Sequence, residues 1–211
     1  RLGRPVGQSA RERGLSCARW AHQQDDAVQG DDRPVDNGPE GPWNKIQEYQ
    51  RQAETKIPKV GMVTAVDAQL DDLIHVGTQD LKRLGRRMAL LAAKDMYPTA
   101  PEYANIKRGP RPLSAKLEGN KIVVKFADVN GSLVAEGRIS GFSVHDGSGA
   151  LVPLIFRANF DPKDPAAVHL HLIGKPPEKG TLHYGYSRDP NCNVRDTLDM
   201  ALPAFGPMPI Q

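Results

Sequence analysis

Gly61-Met62-Val63-Thr64-Ala65-Val66-Asp67, followed closely by Asp71-Asp72-Leu73-Ile74-His75, decides how this chain reads. The first six residues are an apolar run of strand length, so they read as a buried strand ending at Asp67. A short polar loop then carries Asp72 and His75, three residues apart. From Leu81 the apolar positions Leu81, Leu84, Met88 and Leu91 recur at helical spacing, which predicts a helix over Thr78 to Lys94. A loop at the carboxyl end of a strand in an open α/β sheet is where ligands and catalytic groups sit. A carboxylate beside a histidine there fixes the ring tautomer and stabilises the imidazolium, as a serine nucleophile requires. The plain alternative is a loop Asp capping the next helix beside a partly exposed His.

Working outward, Trp43, Ile46, Tyr49 and Ala53 mark one face of a helix beginning near Pro42. Tyr97-Pro98-Thr99-Ala100-Pro101 stops the second helix, because proline cannot continue it. Residues 42–108 therefore read as an α-β-α unit, the closing portion of an α/β domain and too little to make one. Gly109-Pro110-Arg111-Pro112 reads as a boundary. Beyond it, Leu113 to Leu117 and Ile122 to Phe126 flank Glu118-Gly119-Asn120-Lys121, a hairpin turn signal. Ile139 to His145, Leu151 to Phe156, Val168 to Ile173 and Thr181 to Tyr186 follow between Gly-, Asp- and Pro-rich turns. Residues 109–211 thus predict an antiparallel β-sandwich domain. The expected fold class is α/β plus all-β. Residues 1–41 are polar, charged and without apolar periodicity, so they are expected to be disordered.

Composition excludes several classes. The chain has 211 residues, 39% hydrophobic and 25% charged, with a net charge of +3. No run approaches the ~18 consecutive apolar residues of a membrane helix. The arginine-rich start has no apolar core of a secretion signal. It begins with Arg1, which leaves room for a leader upstream. Lys82-Arg83 and Arg86-Arg87 read as a solvated helix face rather than a nucleic-acid patch, since no set of stacking aromatics accompanies them. Cys17 and Cys192 have no metal spacing, and no disulfide is expected between them. His169 and His171 alternate along a strand and share a face. That spacing can bind zinc, but with no third ligand nearby a solvent-facing or interdomain pair is expected. Trp43, Tyr49 and Tyr97 read as packing residues.

Asp72-Leu-Ile-His75-Val-Gly-Thr-Gln-Asp-Leu-Lys-Arg-Leu-Gly-Arg-Arg-Met-Ala resembles the last sequence block of the SGNH-type carbohydrate esterases, and within them the sialate O-acetylesterase family. Pro42-Trp43-Asn44-Lys45-Ile46-Gln47-Glu48-Tyr49-Gln50-Arg51-Gln52 looks like the helix before that family's final strand. Gly185-Tyr186-Ser187-Arg188-Asp189-Pro190-Asn191-Cys192-Asn193-Val194, with Leu202-Pro203-Ala204-Phe205, looks like its C-terminal signature. The resemblance runs from about Gly41 to the end and covers only the family's C-terminal part. It implies His75 as general base and Asp72 as its partner, with neighbouring Asp71 outside the pair. It implies removal of O-acetyl groups from a sugar without a metal or other cofactor, and secretion or the periplasm.

The family's nucleophile lies in a Gly-Gln-Ser or Gly-Asp-Ser block after the first strand. Gly7-Gln8-Ser9 matches those letters. No apolar strand precedes it, Ala10-Arg11 follows where the family has Asn and an apolar residue, and it stands too near the histidine in sequence. Asn37-Gly38 reads as a turn rather than an oxyanion block. The expectation is therefore a portion of an esterase, inactive alone. It would act on an acetylated carbohydrate once joined by a missing upstream portion of the catalytic domain, with neither nucleic acid nor membrane as a partner. Two alternatives stay open: a non-catalytic β-sandwich module that binds carbohydrate or packs on a partner, and a remnant of a truncated gene.

Overall fold

The computed structural model describes residues 42–72, 75–187 and 190–211. The expected disorder of residues 1–41, and the readings of Ser9, Cys17 and Asn37-Gly38, lie outside the described residues. Two helices open the described chain, α1 (Pro42–Lys56) and α2 (Thr78–Met96), and a single turn, α3 (Pro101–Ala104), follows them. Helix α2 runs to Met96, two residues past the predicted end, and Pro101 at the first position of α3 has no N–H to lose there.

From β1 (Arg111–Glu118) onward the chain is antiparallel sheet. It continues through β2 (Lys121–Ala127), β3 (Leu133–Val134), β4 (Phe142–His145), β5 (Leu151–Val152), β6 (Ile155–Phe160), β7 (Ala167–Leu172), β8 (Thr181–Tyr184), β9 (Arg195–Asp196) and β10 (Phe205–Pro209). Two four-stranded sheets form, in the orders β1-β2-β7-β6 and β10-β8-β4-β5, while β3 pairs with β9. The hairpin turn joins β1 to β2 as its residues predict: Glu118 pairs with Lys121, and Gly119 takes φ +62°.

Alternation places the core. Ile122, Val124 and Phe126 of β2 and Val168, Leu170 and Leu172 of β7 point one way, and they meet Val144, Leu182, Tyr184 and Phe205 of the other sheet in one apolar cluster. The two sheets are tied at an edge. Gln211 N–H donates to the Ala115 carbonyl at 2.9 Å, and Leu117 N–H donates to the Gln211 carbonyl at 2.8 Å.

Three expectations are corrected. Residues 61–66 form no ladder among the described residues and none of them is buried. A strand exists through its neighbour, and here side chains take that place: Met62 N–H donates to Glu54 Oε1 at 3.1 Å, and Arg111 Nη2 donates to the Met62 carbonyl at 3.2 Å. The packing residues of the helices are uncovered, with Trp43 64%, Tyr49 66%, Tyr97 58%, Leu81 56% and Met88 61% exposed. Their spacing calls for a covering layer that no described residue supplies. The solvated face expected of α2 holds for Lys82 and Arg86, which are exposed, but not for Arg87, which is 1% exposed, nor for half-buried Arg83.

A candidate histidine–aspartate site and its buried frame

The loop between residue 67 and α2 closes on itself. Leu70 and Val76 form an antiparallel bridge. Asp71 N–H donates to the His75 carbonyl at 2.9 Å, and Gly77 N–H donates to the Gln69 carbonyl at 2.8 Å. Asp72 lies inside this pinch and uses both oxygens on one residue. Oδ1 accepts the His75 backbone N–H at 2.8 Å, and Oδ2 lies 2.6 Å from His75 Nδ1. Fixing the backbone and the ring with one carboxylate sets the ring's orientation. The carboxylate places the proton on Nδ1 and leaves the Nε2 lone pair as an acceptor.

The side chains of His75 and Asp72 are 72% and 52% exposed, so their pairing adds little to stability. Among the described residues no hydrogen bond reaches Nε2, from a serine hydroxyl or any other donor. Asp71 lies apart from the ring, with its Oδ2 3.4 Å from Thr78 N–H at the start of α2.

Beneath the loop is a frame that sequence reading missed. Arg87 forks onto Asp67, with Nη1 to Oδ1 at 2.8 Å and Nη2 to Oδ2 at 2.7 Å. Arg83 reaches Asp67 at 3.0 Å, Asp80 at 2.5 Å and Asp199 at 2.8 Å. Arg87 Nε also donates to the Asp199 carbonyl. Asp80 in turn accepts the Gln69 N–H at 2.7 Å, so both ends of the loop are held by one ionic cluster. Burial alone would raise the Asp199 carboxyl, but the guanidiniums of Arg83 and Arg87 outweigh it and hold it at about 2. Asp80 is lowered in the same way, burial being outweighed by the Gln69 N–H and Arg83. The available signal was the spacing of Asp80, Arg83 and Arg87, which share the helix stripe that leads to buried Leu91.

The other candidates resolve into structural contacts. His169 Nε2 lies 3.0 Å from Asp161 and His171 Nε2 lies 2.7 Å from Asn159. Among the described residues no group of His, Cys, Asp or Glu could hold a metal ion. A second serine–histidine contact exists in the interior, Ser143 Oγ to His145 Nε2 at 2.9 Å, while His145 Nδ1 lies 3.0 Å from the Gly149 carbonyl. His145 is fully buried and packs on His183 and Tyr186 at centroid distances of 4.3 Å and 4.2 Å, so this is a satisfied interior network. Burial, with neighbouring His145, pulls His183 down to about 4. Cys192 is free and buried, and burial pushes its thiol up to about 12. No helix among the described residues is long and apolar enough to cross a membrane.

No protein-family model and no curated protein matches this chain. Among solved structures, its fold is similar to that of a carbohydrate acetylesterase from Xanthomonas citri, with a TM-score of 0.60 at 21% sequence identity. The likeness covers 84% of this chain and 38% of that one, so the chain spans well under half of the acetylesterase whose fold it shares.

Proposed function

We propose that this chain is the histidine–aspartate portion of an SGNH-type carbohydrate O-acetylesterase, with sialate 9-O-acetyl groups as the substrate type. In this reading residues 42–108 close the catalytic α/β domain and residues 109–211 form the accessory β domain. The observation that carries it is the contact of 2.6 Å from Asp72 to His75 Nδ1, with Nε2 left available. The shared fold with a carbohydrate acetylesterase supports the same reading. So do the unladdered residues 61–66 and the uncovered apolar residues of α1 and α2, which suit a neighbouring parallel strand and its layer.

His75 Nε2 takes the proton of a serine hydroxyl as the serine oxygen attacks the acetyl carbonyl. The tetrahedral oxyanion collapses, and the imidazolium returns the proton to the departing sugar alkoxide. Water, deprotonated by the same nitrogen, then releases acetate. Asp72 holds the ring and stabilises the imidazolium in both halves. The serine and the oxyanion donors belong to the upstream portion.

The test measures hydrolysis of 4-nitrophenyl acetate. The chain alone should show no turnover above background, since losing one oxyanion donor costs ~10²–10³ in rate and here none is in place. Fusing an upstream region with a strand and a Gly-Asp-Ser or Gly-Gln-Ser block should restore activity. His75→Ala should abolish it, and Asp72→Asn should lower it ~10⁴-fold. Restored activity indifferent to His75 would overturn the proposal. So would turnover by the chain alone that Ser9→Ala abolishes, which would make it a minimal esterase. Failure of any upstream region to restore activity would favour the non-catalytic module.

A further inference from the structure

The ring of His75 has little around it to hold it. Its side chain is 72% exposed and that of Asp72 is 52% exposed, so the geometry of the pair is inherited from the loop backbone beneath. What fixes that backbone runs, bond by bond, into the β part of the chain and ends at Asp199.

Asp199 sits in a tight turn that follows β9. Asp196, 1% exposed, builds the turn. Its Oδ1 accepts the Leu198 and Met200 N–H groups at 3.0 Å and 3.1 Å, and its carbonyl accepts the Asp199 N–H at 2.9 Å. Asp199 takes φ +63°, a left-handed conformation that Asp and Asn tolerate better than other side chains do. From there it offers α2 three acceptors. Its carboxylate forks Arg83, with Oδ2 3.1 Å from Nε and Oδ1 2.8 Å from Nη2. Oδ2 also accepts Arg86 Nη2 at 2.8 Å, and the carbonyl accepts Arg87 Nε.

The fork sets a direction. A planar guanidinium held at two of its nitrogens cannot turn, so its third nitrogen is aimed. Arg83 Nη1 is aimed at Asp80 Oδ1, at 2.5 Å. The other Asp80 oxygen accepts the Gln69 N–H at 2.7 Å, and the Gln69 carbonyl accepts the Gly77 N–H at 2.8 Å. Gln69 and Gly77 flank the Leu70–Val76 bridge, and Asp72 and His75 lie between them in the chain. Each link from Asp199 to the histidine loop is therefore a bond oriented by the one before it. Without Asp199, the three guanidiniums of Arg83, Arg86 and Arg87 would share two carboxylates, Asp67 and Asp80, among the described residues. Arg83 would also lose the fork that aims it.

Resting on the reading of His75 as general base, we propose that Asp199 is a positioning residue of the esterase site: through Arg83 and Asp80, the β part of the chain sets the orientation of the His75 ring.

The test reads the ring directly, in the whole chain and without turnover. Nitrogen-15 NMR separates a protonated imidazole nitrogen from one carrying a lone pair, and His75→Ala assigns the signals. At about pH 8, where an ordinary histidine is neutral, the parent should hold its proton on Nδ1. Asp199→Ala should let the proton exchange between both nitrogens. Asp199→Asn, which suits the turn and keeps one acceptor, should lie between the two. Val124→Ala, at a fully buried core position of the sandwich, should lower the melting temperature and leave the His75 signals as in the parent. In the restored esterase, Asp199→Ala should lower kcat ~10²-fold with KM held within about 2-fold, as a misplaced base does. If no upstream region restores activity, the NMR result decides alone. His75 signals in folded Asp199→Ala identical to the parent's would overturn the proposal and leave the esterase reading standing. A parent carrying its proton on Nε2 would remove the dyad, and both readings with it. Should Asp199→Ala fail to fold, Asp199→Asn carries the same test. Loss of the Nδ1 proton in Val124→Ala to the same extent would make the effect one of stability alone and also overturn the proposal.

Discussion

Arg87 shows how far a residue's fate can lie from its local sequence. Its side chain is 2% exposed, and the Asp67 carboxylate it forks is 5% exposed. Removing one partner of such a pair leaves an uncompensated buried charge, which costs roughly 3–5 kcal/mol. Arg87→Met should therefore lower the urea midpoint by a corresponding amount. Arg87→Lys should recover only part of the loss, because an ammonium cannot fork a carboxylate. The Asp72–His75 contact was legible in sequence because three residues separate its members and one loop holds them. The burial of Arg87 was not, because its second partner, Asp199, lies 112 residues onward. Periodicity alone assigns a charged stripe to solvent.

Elements were legible where the pattern and its partner both lie within the described chain. The β1–β2 hairpin is an example, since two alternating runs flank a glycine that must take a positive φ. β3 and β9 have two residues each and carry no alternation to read. β10 contains Gly206 and Pro207, which sequence reading takes as breakers. Two glycines separate backbone strain from collision. At Gly119, with φ +62°, nothing lies within 4 Å of an added Cβ, so Gly119→Ala should cost only the left-handed penalty, about 1 kcal/mol. Gly141, with φ +97°, would add contact with Tyr184 and Cys192. Overpacking adds typically 1–3 kcal/mol, so Gly141→Ala should melt several degrees below Gly119→Ala in a thermal scan.

Across the whole molecule, the shifted acids and histidines act in one direction. Glu48, Glu54, Asp80 and Asp199 are lowered, burial in each case being outweighed by hydrogen bonds and arginine charge. His183 is lowered by burial and by His145. A histidine depressed in the folded state takes its proton first when unfolded, so its contribution is complete above its unfolded value and is lost as pH falls. That loss should run from 6.5 to about 4. The carboxylates contribute above their unfolded values, and Asp199 continues to lose its share until about 2. Urea midpoints should therefore fall on acidification in two stages, and His183→Gln should flatten the first. A midpoint constant from pH 7 to about 4 would contradict this sign.

The tie between α2 and Asp199 also imposes an order on biosynthesis. Translation delivers Arg83 116 residues ahead of Asp199, the carboxylate it binds beside Asp67 and Asp80. While the nascent chain lengthens, the guanidiniums of α2 outnumber the acids that will neutralise them. The histidine loop above them gains its final frame only when the turn carrying Asp199 has left the ribosome tunnel and docked. A ribosome stalled before that codon would carry the complete Asp72–His75 motif on an unfinished mount.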